Sequence, residues 1–188
     1  MPCLLLPLTS SNCPSGRAGI TKIWITENEN ITGFTVSSDE EVTAIAMVAD
    51  SEFTQFVFEK DTAFFNQTVT RNKNNVNVNQ QISMVFPIMD TAKRKAITRL
   101  MNCSCGVTAI IKDSTGRYHV AGISLFYNPT TAAVSGSQTE QLRSGESTGN
   151  TGADPAADAN EYVVVLEGNT SVLAPFTTIT ESTIPAGA

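Results

Sequence analysis

The chain has 188 residues, of which 41% are hydrophobic and only 16% charged, with a formal net charge of −6. That length suits one domain, residues 1–188, built on a single core. An acidic chain gains nothing from releasing counterions on a nucleic-acid backbone, which argues against sequence-independent nucleic-acid binding. Thr, Asn, Ser and Gln supply the polarity instead. Such surface can be buried against a neighbouring subunit without desolvating an ion; the same composition also describes a low-charge extracellular β protein.

Residues 1–19 are rich in Pro, Ser and Gly and read as an extended N-terminal arm. Its run Leu4, Leu5 and Leu6 is a proposed assembly arm, expected to dock on the chain's own core or on a neighbour. Met1–Leu8 has no basic segment before its apolar run and is interrupted by Pro7. It is neither a convincing signal peptide nor long enough to span a bilayer. Synthesis and assembly in the cytoplasm are expected, with no membrane partner.

Ile20–Thr26 is rich in β-branched residues, with Ile23 and Ile25 on one face and Lys22, Trp24 and Thr26 on the other. Strands follow over Ile31–Val36 and Val42–Val48. Phe53–Lys60 is aromatic and β-prone. Phe64–Arg71 and Val76–Phe86 alternate around the turn Asn72–Asn75, which predicts a long β-hairpin. Val76, Val78, Gln80, Ile82, Met84 and Phe86 share an inward face. Asn66, Thr68 and Thr70, opposite Asn77, Asn79, Gln81 and Ser83, form a neutral polar face.

Pro87 ends the hairpin. Asp90 is a plausible N-cap for a helix over about 90–101, with Ala92, Ala96, Ile97, Leu100 and Met101 as its apolar stripe and Lys93, Arg94 and Arg99 off it. Val107–Lys112, the turn Asp113–Gly116 and Arg117–Phe126 predict a second hairpin. Residues 128–160 lack aromatics and read as a long Gly/Ser/Thr-rich loop or insertion. Glu161–Gly168 is a clean strand. Residues 171–180 read as a final edge strand, where Pro175 is tolerated because an edge N–H need not pair. The expected fold is mainly β: an antiparallel β-sandwich or half-open barrel with one flanking α-helix, an N-terminal arm and a long loop.

No catalytic, cofactor-binding or metal-binding constellation stands out. The single histidine, His119, lies mid-strand and is expected to be half-buried and hydrogen-bonded, not a general base. The Asp39, Glu40 and Glu41 cluster precedes a strand and reads as a solvated turn. Trp24, Tyr118, Tyr127 and Tyr162 are scattered through strands, where core packing is the common fate. Cys3, Cys13, Cys103 and Cys105 do not have the spacing of a disulfide framework. Convergence as a four-thiolate zinc site is conceivable, but free thiols are the default. No enzymatic activity or cofactor is expected.

The order of features resembles that of bacteriophage tail-tube and tail-ring proteins, particularly from phages of Bacteroidetes-type hosts. Early strands lead to a long hairpin, one helix, the hairpin turn in KDSTGRYHVAGI (Lys112–Ile123), a Gly/Ser loop, and DANEYVVVLEG (Asp158–Gly168). The likeness covers roughly residues 53–170; Asn160-Glu161 precedes Tyr162 where a Gly is common. The resemblance implies a β-sandwich with a flanking helix that self-assembles into rings, commonly hexamers, which stack into a tube. Partners would be further copies and other virion tail proteins, with DNA passing transiently through the lumen, in a virion assembled in the host cytoplasm. The face of Asn66, Thr68, Thr70, Asn77, Asn79, Gln81 and Ser83 would line that channel. The alternative is a virion decoration or surface adhesion module that binds a glycan or receptor through sandwich loops.

Overall fold

The computed structural model describes residues 19–58, 61–72, 75–87, 89–128, 133–137, 141–150 and 160–184. The proposed arm of Leu4, Leu5 and Leu6, together with Cys3 and Cys13, lies outside them. The architecture is mainly β and antiparallel, with one α-helix among the described residues, as the sequence pattern predicts.

One sheet runs in the order β4 (Thr54–Phe56), β1 (Ile20–Glu27), β7 (Val107–Asp113), β8 (Tyr118–Ala121). A second is built on β13 (Glu161–Thr170), β6 (Asn75–Pro87) and β5 (Phe64–Asn72), with the short strands β11 (Arg143–Ser144) and β12 (Thr148–Asn150) both on the far side of β13. These two sheets share a core. Period-two alternation sends Ile23, Ile25, Ala109 and Ile111 from one, and Ile82, Met84, Val164 and Leu166 from the other, into the same apolar cluster.

The other face of the first sheet is buried as well. Trp24, Ile110 and Val120 pack there with Ile31, Val42 and Ile45, which come from β2 (Ile31–Val36) and β3 (Val42–Met47). Strand β7 therefore contributes to both cores. Its near-continuous apolar run is the sequence of a strand covered on both sides. Each of its fully buried isoleucines contributes about 2–3 kcal/mol of burial free energy.

Helix α1 (Thr91–Met101) starts where expected: Asp90 accepts the backbone N–H of Lys93 at 2.7 Å. Its predicted stripe is narrower in fact. Ile97 and Leu100 are buried in the first core, whereas Ala92 and Ala96 are exposed and Met101 is 45% exposed. The helix rests on the core by one turn.

Four expectations need correction. Of Phe53–Lys60, the described residues 53–58 form only the three-residue β4, with Phe53 in the second core. Arg117–Phe126 is not one strand. Gly122, at φ 88°, breaks it, and β9 (Ser124–Asn128) leaves to pair with β10 (Ala133–Ser137). A Cβ at Gly122 would sit 2.8 Å from the Val107 carbonyl oxygen, so the kink requires glycine. The region 128–160 is not a bare loop: β10, β11 and β12 lie in it, and Leu142 within it is fully buried, bonded to Val107 through both backbone groups. Finally, 171–180 is not an edge strand. Its central residues thread between β8 and β3: Pro175 accepts from Val120 N, Thr177 N donates to Tyr118 O, and Phe176 O accepts from Val42 N. Pro175 suits an interior position here because only its carbonyl is used.

Candidate assembly face

The β5–β6 hairpin pairs without interruption from Phe64↔Ser83 to Asn72↔Asn75. Its register sets Asn66 opposite Gln81, Thr68 opposite Asn79, and Thr70 opposite Asn77. Strand β13 continues the same face, with Asn169 beside Asn79 and Glu167 beside Gln81. Asn66, Thr68, Thr70 and Asn77 are exposed, and Asn79 and Gln81 are half-buried. Ser83 lies on this face but is only 6% exposed, between Phe64 and Val165 in the register, so the open polar run ends at Gln81. Asn77 and Asn79 both donate to the side-chain oxygen of Asn169, at 3.2 and 3.3 Å. The hairpin portion of this face carries no charged side chain, and its nearest charge on β13 is Glu167.

Strand β5 is the terminal strand of its sheet. It contains one charged residue, Arg71, no proline, and no bulge in its ladder. Charges, prolines and bulges are the usual means of blunting an exposed edge. A nine-residue edge with so little of this protection is a ready template for pairing with another chain.

The inner face of the hairpin is anchored by one polar side chain that sequence reasoning placed inward without a reason. Gln80 is fully buried. Its amide donates to Thr170 Oγ1 at 3.1 Å and to the Val172 carbonyl at 3.4 Å. Its carbonyl accepts the backbone N–H of Gly122 at 3.0 Å. It thus ties the hairpin to the kink where the chain changes sheets. The only signal in the sequence was a glutamine in an otherwise apolar alternation.

The other singled-out residues fall into structural roles. Nε2 of His119 lies 3.3 Å from Asp113 Oδ2, and its ring packs on Phe176 with centroids 4.7 Å apart. Asp113 also accepts from Thr115 and from the Arg117 backbone. Trp24 is buried and stacks on Tyr118, and Tyr162 packs against the first core. Asp39 and Glu40 are exposed in the turn before β3.

Cys103 and Cys105 lie in the turn after α1. Their thiols donate to Glu27 at 3.4 Å and Glu29 at 2.7 Å. Burial, and then the Glu27 carboxylate, push Cys103 up to about 11. The hydrogen bond to Glu29 raises Cys105. In this geometry both thiols serve as hydrogen-bond donors to carboxylates. Among the described residues no group of three or more His, Cys, Asp or Glu is placed to hold a metal ion, and no helix is long and apolar enough to cross a membrane.

Comparison with protein-family models, with curated proteins and with solved structures finds no match for this chain.

Proposed function

We propose that this chain is a structural subunit that self-assembles into rings, of the kind that stack into a phage tail tube or tail ring around passing DNA. One observation carries the reading: the long β5–β6 hairpin joins an uncharged polar face to a weakly protected nine-residue edge. Such an edge favours sheet continuation from copy to copy. The face beside it, rich in Asn and Thr and bordered by Glu167, offers a polyanion hydrogen-bonding groups but no cation to hold it. The acidic net charge acts in the same direction. The resemblance in feature order to tail-tube proteins supports the same assignment.

Negative-stain imaging and mass measurement of the purified protein test it. Rings or tubes are the expected result. A monodisperse monomer that binds glycan would overturn the reading in favour of an adhesion module.

A further inference from the structure

Every second residue of an antiparallel strand turns its backbone N–H and C=O to the same side. In β5 one set of residues bonds β6, and the other faces an edge with no strand partner among the described residues. The side chains agree with the backbone. Phe64 is 50% and Val69 55% exposed, and they lie on opposite faces of β5, Phe64 beside Ser83 on the outer face and Val69 beside the buried Val78 on the inner one. A body laid on either face would cover one of them. A strand added alongside flanks both.

We propose that the β5 edge pairs with the β5 edge of a second copy, antiparallel and about a two-fold axis at Thr68. Length is the first argument. β5 has nine residues, and the other described strands that end a sheet are shorter: six in β2 and β3, five in β9 and β10, four in β8, and three or fewer in β4, β11 and β12. Among them only a second β5 matches this edge from end to end. Register is the second argument. Two such edges bond when residues of the same parity stand opposite. Centring on Thr68 achieves this along the whole strand: Thr68 opposes Thr68, Asn66 opposes Thr70, and Phe65 opposes Arg71. The outer faces of the two copies then run together as one uncharged polar surface, with Thr and Asn as cross-strand neighbours able to hydrogen-bond. Charge is the third argument. Arg71 is the one charged residue of the strand. It meets Phe65 of the other copy and stands about 20 Å along the strand from the other Arg71, so no like charges are opposed. The pairing rests on the reading of β5 as an assembly edge and names its occupant. The unit that builds a ring is then a two-fold pair, and the ring closes through a second surface.

Thiol cross-linking tests the axis. In a chain carrying Cys3→Ser, Cys13→Ser, Cys103→Ser and Cys105→Ser, single thiols are introduced by Thr68→Cys, Asn66→Cys, Thr70→Cys and, as a control on α1, Ala92→Cys. All four positions are exposed. Diamide oxidation is followed on non-reducing gels and by intact mass. Thr68→Cys sets two thiols directly across the axis, within disulfide reach, and should give a linked dimer at least about tenfold faster than the control. Asn66→Cys and Thr70→Cys each lie about 14 Å along the strand from their own counterparts. They should cross-link slowly when expressed singly and rapidly to one another when co-expressed. A Thr68→Cys rate equal to the control rate, or no gain on co-expression, would overturn the proposal. Imaging of the same samples keeps the two readings apart. Rings without the Thr68→Cys cross-link leave the ring reading standing and sink the two-fold pair; cross-linked pairs that never form rings do the reverse.

Discussion

Removing the Gln80 amide should destabilise the fold more than any surface change on the same hairpin. In Gln80→Ala the Gly122 N–H loses its acceptor inside the protein. An orphaned buried donor costs about 1–3 kcal/mol. The Val172 carbonyl fares better, because Thr170 Oγ1 still donates to it at 2.6 Å. The emptied volume adds about 2 kcal/mol, as for other large-to-small changes in a packed interior. The sum is about 3–5 kcal/mol. Gln80→Met keeps most of the volume and removes only the polar contacts, so it should cost about 1–3 kcal/mol. Gln80→Glu adds a pH signature. A buried carboxylate facing the Val172 carbonyl has its folded pKa raised above the unfolded value of about 4.3. Its extra cost is therefore absent below that value and grows as pH rises toward the folded pKa. Urea denaturation followed by fluorescence of Trp24, the only tryptophan and a buried one, reads all three variants. A Gln80→Met protein within about 0.5 kcal/mol of the parent would refute the claim that this amide anchors the hairpin to the Gly122 kink.

Three further outcomes follow from the geometry. Burial raises Asp113, but hydrogen bonds from Thr115, the Arg117 backbone and His119 outweigh it and hold the carboxyl below its ordinary value. A depressed acid contributes stability above its unfolded pKa of about 3.9 and loses it as pH falls through the folded value. Asp113→Asn should thus cost about 1–2 kcal/mol at pH 7 and nothing once the parent carboxyl is protonated, as measured by denaturation across pH. For Cys103 at about 11, the thiolate fraction at pH 8 is on the order of one in a thousand. Alkylation by iodoacetamide should run on the order of a hundredfold slower than for an unperturbed cysteine, and Glu27→Gln should speed it; mass mapping of the labelled site distinguishes it from Cys105. If the chain forms the proposed rings, Asn77→Lys with Asn79→Lys on the polar face should leave assembly intact and impair DNA passage, read by imaging alongside an ejection assay. Loss of assembly would mean that this face is a subunit contact and not a wall.

Local signals were legible where one short-range rule decides the structure. Asp90 was legible as the cap of α1 because a short carboxylate just ahead of a helical run can accept an unpaired first-turn N–H, as it does from Lys93. The β5–β6 register followed from alternation and a turn rich in Asn. The misses share a different cause: backbone partners distant in sequence. Nothing near 171–180 announces that Pro175 and Thr177 will bond β8 while Phe176 bonds Val42. The weak β-propensity of 133–150 is offset by pairing with β9 and β13 and by the burial of Leu142. Gly122 was readable as glycine but not as a break, because its need for positive φ comes from the Val107 carbonyl packed against it. For the candidate face, the neutral side chains were visible in the sequence. That β5 is an edge, and Ser83 buried, depends on which strands flank the hairpin.

The hairpin's two faces and its edge pull in one direction. A strand that served only this chain's core would end where the core ends, near Val78, and its edge would be blunted. Here β6 runs thirteen residues from Asn75 to Pro87, and its inward alternation persists to Val76, outside the buried zone. The outer face stays free of charge over the hairpin while the surrounding turns hold Asp39, Glu40 and Arg117. An open edge lowers the stability of an isolated subunit relative to one whose edge is paired with another copy. The protein should therefore gain thermal stability with concentration, because occupancy that favours the native state raises the melting temperature by mass action. Calorimetry over a roughly hundredfold concentration range measures this. A melting temperature independent of concentration would leave the edge unpaired in solution and count against copy-to-copy sheet continuation.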